Sequence, residues 1–146
     1  MFKSEKGFTL IEILLVIGLI AILAAIVIIA INPARQFAQA RNTQRASNVN
    51  AILNAVHENM IDNEGVWTCT TSLPTTSQTI DSSTTDIYSC LVDIYLAELP
   101  YDPETGYFTS ESDYDTGYSI VVSTSTGRVT VSAPDAELSD TVSVTR

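Results

Sequence analysis

The feature that most constrains this chain is one apolar run near its beginning. From Ile13 to Ile31 there are 19 consecutive residues, all apolar except Gly18. At about 1.5 Å per residue, a helix of that length crosses a hydrocarbon layer of roughly 30 Å. Lys3 and Lys6 precede the run, and three arginines follow it within residues 35–45. The pattern predicts a membrane-inserting helix with the rest of the chain outside the bilayer.

The charges are as unevenly distributed as the apolar residues. The whole chain of 146 residues has a formal net charge of −10. Residues 1–45 hold five cations and two acids, a net +3, whereas residues 46–146 hold two cations and fifteen acids, a net −13. A length of this order allows one modest folded head besides the helix. Because phosphate backbones repel acidic surfaces, we predict no direct nucleic-acid binding by the head.

Two general interpretations of the N-terminus fit poorly. A cleaved secretory signal has an apolar run of roughly 7–15 residues followed by a small-residue cleavage site, and the Ala-Ile-Asn-Pro that ends this run is a poor match. A plain signal anchor fits the length but leaves Glu12 unexplained. A charge costs roughly 2.5–3.5 kcal/mol at the centre of a membrane helix on insertion scales, and less near an end.

The residues around Glu12 form a more specific pattern. Gly7-Phe8-Thr9-Leu10-Ile11-Glu12 follows the charged leader Met1–Lys6 and precedes the long apolar helix. This arrangement resembles the class III signal of type IV pilins and their relatives. The resemblance implies that a prepilin peptidase cuts after Gly7, removing residues 1–7, and methylates the new amine of Phe8. It also implies that this amine pairs with Glu12 of an adjacent subunit, which selects one register in the assembled bundle.

The resemblance implies a structural function. The chain would be a type IV pilus subunit, a homopolymer of identical copies used for adhesion, motility or DNA uptake. It would wait in the cytoplasmic membrane and move into an extracellular filament through an inner-membrane assembly platform and an assembly ATPase. The alternative is a pseudopilin of a secretion or competence fibre. A third interpretation, a membrane-anchored binding domain that never polymerises, requires Glu12 to be irrelevant.

After the apolar helix, placed at residues 8–33, the pattern predicts an amphipathic helix at residues 34–65. Its apolar positions recur at helical spacing: Val49, Ile52, Leu53, Val56 and Met60. Pro33 is expected to kink or locally melt the junction. The arginines of residues 35–45 have two open interpretations. They form a solvated collar that pairs with anionic lipid or acidic neighbours, or a membrane-flanking basic cluster without a special role.

Residues 66–146 are predicted to form the globular head. A Ser/Thr-rich loop at 68–85 precedes a helix at Asp86–Leu99. The next segment, Leu99-Pro100-Tyr101-Asp102-Pro103, resembles one in some pilins and major pseudopilins. Strands are expected at Tyr118–Ser123, Arg128–Ser132, around Val142 and Val144, and in a short form at Tyr107–Thr109. The fold class is therefore α+β: a long N-terminal helix packed on a small antiparallel sheet, as in type IV pilins.

The two cysteines, Cys69 and Cys90, belong to the part that must lie outside the cytoplasm. An even count in an exported domain favours a disulfide over two free thiols. Closing the 22-residue loop from Cys69 to Cys90 would stabilise the fold by about 3 kcal/mol through loop-closure entropy. We therefore predict that this bridge ties the Ser/Thr-rich loop to the helix after it.

Site chemistry is sparse in the sequence. Asp113 and Asp115, two apart beside Gly117, form an oxygen-rich pair of the kind that holds Ca²⁺ in some major pseudopilins; the alternative is a solvated acidic turn. No other cofactor is expected. The sequence has one histidine and no nucleophile elbow, phosphate-binding glycine loop or Cys-x-x-Cys. We predict that the chain is not an enzyme.

Overall fold

A computed structural model describes residues 7–146 and divides the chain into two compact units, the first ending at Phe37 and the second spanning Ala38–Arg146. The elements in chain order are α1 (Leu10–Ile31), α2 (Pro33–Asp62), β1 (Gln78–Asp81), α3 (Tyr88–Leu91), β2 (Tyr107–Ser110), β3 (Asp113–Val122), β4 (Val129–Ala133) and β5 (Val142–Thr145). The α+β class and the small antiparallel sheet are confirmed.

The first unit consists of α1 and the start of α2. No residue of α1 is buried, and the helix is long and apolar enough to cross a membrane. It ends at Asn32, which adopts the left-handed conformation with φ 48°. Because proline lacks an N–H and has a helical φ, it suits the first position of a new helix. The expected disturbance at Pro33 is thus confined to Asn32, whose side-chain oxygen accepts from the Arg35 amide at 3.3 Å.

The second unit is organised by one face of α2. Val49, Ile52, Leu53 and Val56 are completely buried, as their spacing predicts. They pack with buried residues of the sheet, among them Tyr118, Ile120, Val129 and Val131. Complete burial of an aliphatic side chain contributes roughly 1.5–3 kcal/mol. This apolar layer therefore fixes α2 against one face of the sheet.

The sheet is antiparallel, with the order β1-β3-β4-β5, and β2 pairs with the first part of β3. The β3–β4 hairpin pairs Val122 with Val129 across the Ser/Thr-Gly turn that the sequence predicts. β1 lies inside the segment predicted to be only loop. Thr79 and Asp81 pair with β3, and Ile80 between them is buried.

The predicted helix at Asp86–Leu99 is wrong in extent. Only Tyr88–Leu91 is helical, and the chain then forms a tight turn in which Val92 bridges Leu96. Asp93 has a φ of 66°, which a continuing right-handed helix excludes. The apolar residues of this segment recur at helical spacing, but Leu91 and Val92 reach the core from this short turn instead.

Candidate functional site

The predicted processing site lies in exposed backbone before α1. Gly7, Phe8 and Thr9 are not helical, and the Phe8 side chain is 79% exposed. A peptidase needs an accessible bond, and the Gly7–Phe8 bond lies in exposed, non-helical backbone. The predicted leader Met1–Lys6 lies outside the described residues. Cleavage after Gly7 and methylation of Phe8 stay predictions.

Glu12 closes the N-terminus of α1 in a reciprocal pair with Thr9. The Thr9 hydroxyl accepts from the Glu12 amide at 3.3 Å, and the Glu12 carboxylate accepts from the Thr9 amide at 3.4 Å. This is a capping box, which satisfies amide groups that the first helical turn leaves without partners. Within one chain Glu12 therefore has a local partner. Its predicted role between subunits stays a prediction.

The arginines of the predicted collar differ in burial and in their partners. Arg35 is exposed, but Arg45 is completely buried, and Arg41 is partly buried. Arg45 donates from Nε to Asp102 Oδ2 at 2.6 Å and from Nη2 to Asp102 Oδ1 at 3.2 Å. Its Nη1 donates to Glu137 at 2.9 Å. Both interpretations of the collar are therefore wrong for Arg41 and Arg45, because both bind carboxylates of their own head.

Asp102 is held by groups on several sides. Besides Arg45, its Oδ1 accepts from the amides of Glu104 at 2.9 Å and Thr105 at 3.1 Å. Burial acts to raise the pKa of the Asp102 carboxyl, but the Arg45 hydrogen bond and these amides outweigh it and leave the pKa below its ordinary value. Asp102 is thus an ionised carboxylate in a completely buried position.

Two glycines let the backbone approach Asp102. A Cβ on Gly106 would lie 2.6 Å from the Asp102 nitrogen and 2.8 Å from the Thr116 oxygen. A Cβ on Gly117, where φ is 69°, would lie 2.9 Å from the Asp102 Cβ. The turn that follows Leu99 is therefore packed against β3 at a distance that a side chain would prevent.

Glu137 attaches a second loop to α2. Arg41 donates to both of its carboxylate oxygens, from Nε at 2.6 Å and from Nη2. Asn42 binds the backbone of Glu137: its side-chain amide donates to the Glu137 carbonyl at 2.8 Å, and its side-chain oxygen accepts from the Glu137 amide at 2.9 Å. The hydrogen bond from Arg41, joined by that from Arg45, lowers the pKa of Glu137 to about 2. Asp102, Glu137 and the two arginines form what we call the arginine cluster.

The predicted disulfide is present between Cys69 and Cys90, whose Cα atoms are 5.5 Å apart. It joins the Ser/Thr-rich segment to α3. The same region is fastened to the sheet by Tyr114, whose hydroxyl donates to Asp86 at 2.8 Å and accepts from the Ile87 amide at 3.3 Å. The bridge therefore adds a covalent link to a region that also contributes buried apolar residues, Ile87 and Leu91 among them, to the core.

The structure places Asp113 and Asp115 in β3 instead of a loop. Their side chains alternate with buried Tyr114, so both point to the same face of the sheet. Asp113 accepts from the Tyr107 hydroxyl at 3.4 Å, and Asp115 accepts from the Gly117 amide at 2.8 Å. Within residues 7–146 no group of three or more His, Cys, Asp or Glu residues is arranged to hold a metal ion. Calcium binding there stays a prediction.

Sequence reasoning missed the arginine cluster, although the spacing along α2 contained a signal. Ala38, Asn42 and Arg45 are buried at intervals of four and three residues that continue directly into Val49, Ile52 and Val56. The buried stripe thus changes from polar to apolar along one helix face. Charge alone favoured a solvated interpretation of Arg41 and Arg45, whereas their periodicity places them towards the head.

Comparison with known proteins adds one match. The family model described as "Prokaryotic N-terminal methylation motif" matches residues 2–31. This segment contains the class III prepilin signal, with Gly7, Phe8 and Glu12, and all of α1. The N-terminal part of the chain thus resembles a prepilin peptidase substrate of the pilin and pseudopilin kind. No curated protein and no solved structure matches the chain.

Proposed function

We propose that this chain is a structural subunit of a type IV pilus, polymerised into a helical surface filament. The observation that carries the proposal is the methylation motif at residues 2–31, which includes a capped apolar helix with no buried residue. Such a helix must be covered by lipid or by other helices. Bundled copies would bury in the filament the surface that the bilayer covers in the single subunit.

The head has a feature that is typical of domains outside the cytoplasm. It is closed by the Cys69–Cys90 disulfide, which is typical of oxidising compartments. We propose that the subunit starts in the cytoplasmic membrane and ends on the cell surface. Its partners would be a prepilin peptidase, an inner-membrane platform and an assembly ATPase. We propose no catalytic function, since a subunit that acts by polymerising needs none.

The second candidate is a pseudopilin of a secretion or competence fibre. The segment around Asp102 favours it, because a Leu-Pro-x-Asp-Pro sequence resembles one in some major pseudopilins and because Asp102 organises the turn there. The two candidates share processing and assembly. They differ in whether the polymer leaves the cell envelope.

Mass spectrometry of sheared surface material and of the membrane fraction tests the proposal. A peptide that begins at N-methylated Phe8 and is abundant in sheared filaments is the expected result. The same processed peptide confined to the envelope would favour the pseudopilin. An intact leader in both fractions would overturn the proposal and leave a membrane-anchored domain.

A further inference from the structure

The face of the sheet that points away from α2 is polar and bears opposite charges at its two ends. Residues of β3 and β4 alternate between the buried face and this outer face. Register pairs of small polar residues, Ser119 with Ser132 and Ser132 with Ser143, occupy its middle. The middle of this outer face is therefore uncharged, and its charged residues lie at the two ends.

One end is acidic and aromatic. Tyr107 and Asp81 are both register partners of Asp115, so the three residues lie side by side on the outer face. Tyr107 is 49% exposed, and its hydroxyl donates to Asp113. The negative charge of Asp113, together with burial and the charges of Asp115 and Asp81, raises the pKa of the Tyr107 phenol. Within residues 7–146 no salt bridge involves these carboxylates.

The other end holds one exposed arginine. Arg128 immediately precedes β4 and lies two residues before Thr130, which places it on the outer face. Other cations of the head are engaged: Arg41 and Arg45 in the arginine cluster, and Arg146 with Asn54 at 2.5 Å. In the described part of the chain no carboxylate forms a salt bridge with Arg128.

We propose that Arg128 of one copy binds the surface formed by Tyr107, Asp113 and Asp115 on a second copy. A guanidinium lies flat against an aromatic ring and binds carboxylates at the same time, so arginine matches this combination of groups. The two ends are separated by roughly 25 Å along the sheet, from about 3.3 Å per residue, so one chain cannot pair them itself. The complementary charges therefore meet between copies.

The proposed contact rests on the filament function and deepens it. All copies in a filament that grows from a membrane point the same way, which excludes a two-fold contact between identical surfaces. A contact between different surfaces, repeated from copy to copy, builds an open polymer. The outer face offers such a pair of surfaces on one sheet. Because residues 46–146 have a net charge of −13, neighbouring heads repel each other, and each contact of Arg128 with a carboxylate offsets part of that repulsion.

Cysteine cross-linking in assembled filaments tests the contact directly. The two native cysteines are disulfide-bonded, so introduced cysteines are the reactive thiols. The full chain carrying both R128C and D113C should give a ladder of dimers and higher multimers after mild oxidation of sheared filaments. The matched control pairs R128C with E98C, because Glu98 is exposed but lies outside the outer face. We expect about tenfold more multimer from the first pair than from the control.

Charge reversal provides a second measurement that does not depend on thiol chemistry. R128D alone and D113R alone should each lower the yield of sheared filaments about tenfold, and the double variant should restore most of it. E98R should leave the yield unchanged. Wild-type filaments combined with equal ladders for both cysteine pairs, or with no rescue by the double variant, would overturn the contact and leave the filament function intact. Absence of wild-type filaments would overturn both.

Discussion

The guanidinium of Arg45 binds both carboxylate oxygens of Asp102, and neither side chain is accessible to solvent. The two residues are 57 positions apart in the sequence, so the pair joins α2 to the turn in front of the sheet. A forked, charge-assisted contact of this kind fixes direction as well as distance. The pair therefore fixes the position of the turn around Asp102 relative to the polar buried residues of α2.

Replacing Arg45 by Met should destabilise the head by about 3–5 kcal/mol, because Asp102 would remain buried without its counter-charge. Thermal unfolding of the full chain in detergent measures the loss. The control R128M changes an exposed arginine and should stay within about 0.5 kcal/mol of the wild type. The double variant R45M with D102L should recover part of the stability. An R45M protein as stable as the control would contradict the structural role of the pair.

Acid should weaken the attachment of the loop that contains Glu137. Its pKa is about 2 in the folded protein, below the ordinary value of about 4.3 in an unfolded chain. A lowered folded pKa contributes stability that is fully present above the unfolded pKa and is lost as the pH falls through the folded one. We expect the melting temperature to fall between about pH 4.5 and pH 2, and E137Q to flatten that fall. E98Q should keep the wild-type profile; a flattening equal to that of E137Q would contradict the assignment.

Gly117 and Gly127 offer a matched test of the close approach to Asp102. Both have left-handed backbones, with φ of 69° and 71°. An added Cβ at Gly117 meets Asp102 and Thr105 at 2.9 Å, whereas at Gly127 nothing lies within 4 Å. Alanine should cost about 1 kcal/mol of backbone strain at either site and a further 1–3 kcal/mol of overpacking at Gly117 alone. Equal unfolding free energies for the two variants would show that the turn around Asp102 relaxes freely.

The apolar part of the fold is readable from the sequence, because burial of hydrocarbon leaves a periodic pattern. The α2 face at Val49–Val56 and the strands around Ile120 and Val131 follow it directly. The Cys69–Cys90 bridge follows from the even cysteine count, given the prediction that the head lies outside the cytoplasm. These features depend on residues whose environment is decided mainly by their own chemistry.

The missed features depend on partners that are distant in the sequence. β1 lies within a Ser/Thr-rich segment and becomes a strand because β3 supplies its hydrogen bonds. Arg45 is buried because Asp102 and Glu137, far along the chain, neutralise it. Asp113 and Asp115 look like loop residues until β1 and β2 pair with the segment that contains them. Local propensity contains none of this information.

Removing the disulfide should lower the stability of the head by about 3 kcal/mol, the loop-closure entropy of a bridge spanning 21 residues. Thermal unfolding of the C69S/C90S variant, compared with wild type with and without reductant, measures it. Reductant should shift the wild-type transition and leave the variant unchanged. A wild-type melting temperature that ignores reductant, with thiol labelling confirming that both cysteines are reduced, would contradict the stabilising role.

Glu12 has two roles that substitution can separate, the capping box with Thr9 and the predicted pairing with a neighbour's Phe8 amine. Glutamine supports a capping box as glutamate does but has no charge for an amine. If pairing matters, E12Q and E12A should both lower the yield of sheared filaments about tenfold or more, while T9A, which removes the hydroxyl of the cap and keeps the carboxylate, should lower it far less.

The opposite pattern would assign Glu12 to the helix terminus. In that case E12Q would assemble like the wild type, and T9A and E12A would be impaired to a similar degree, since the capping box depends on both side chains. Membrane insertion and the melting temperature of the head serve as controls, because neither depends on a contact between subunits. A fully assembled E12A filament would show that neither role of Glu12 is needed for assembly and would leave its carboxylate only the local contact with Thr9.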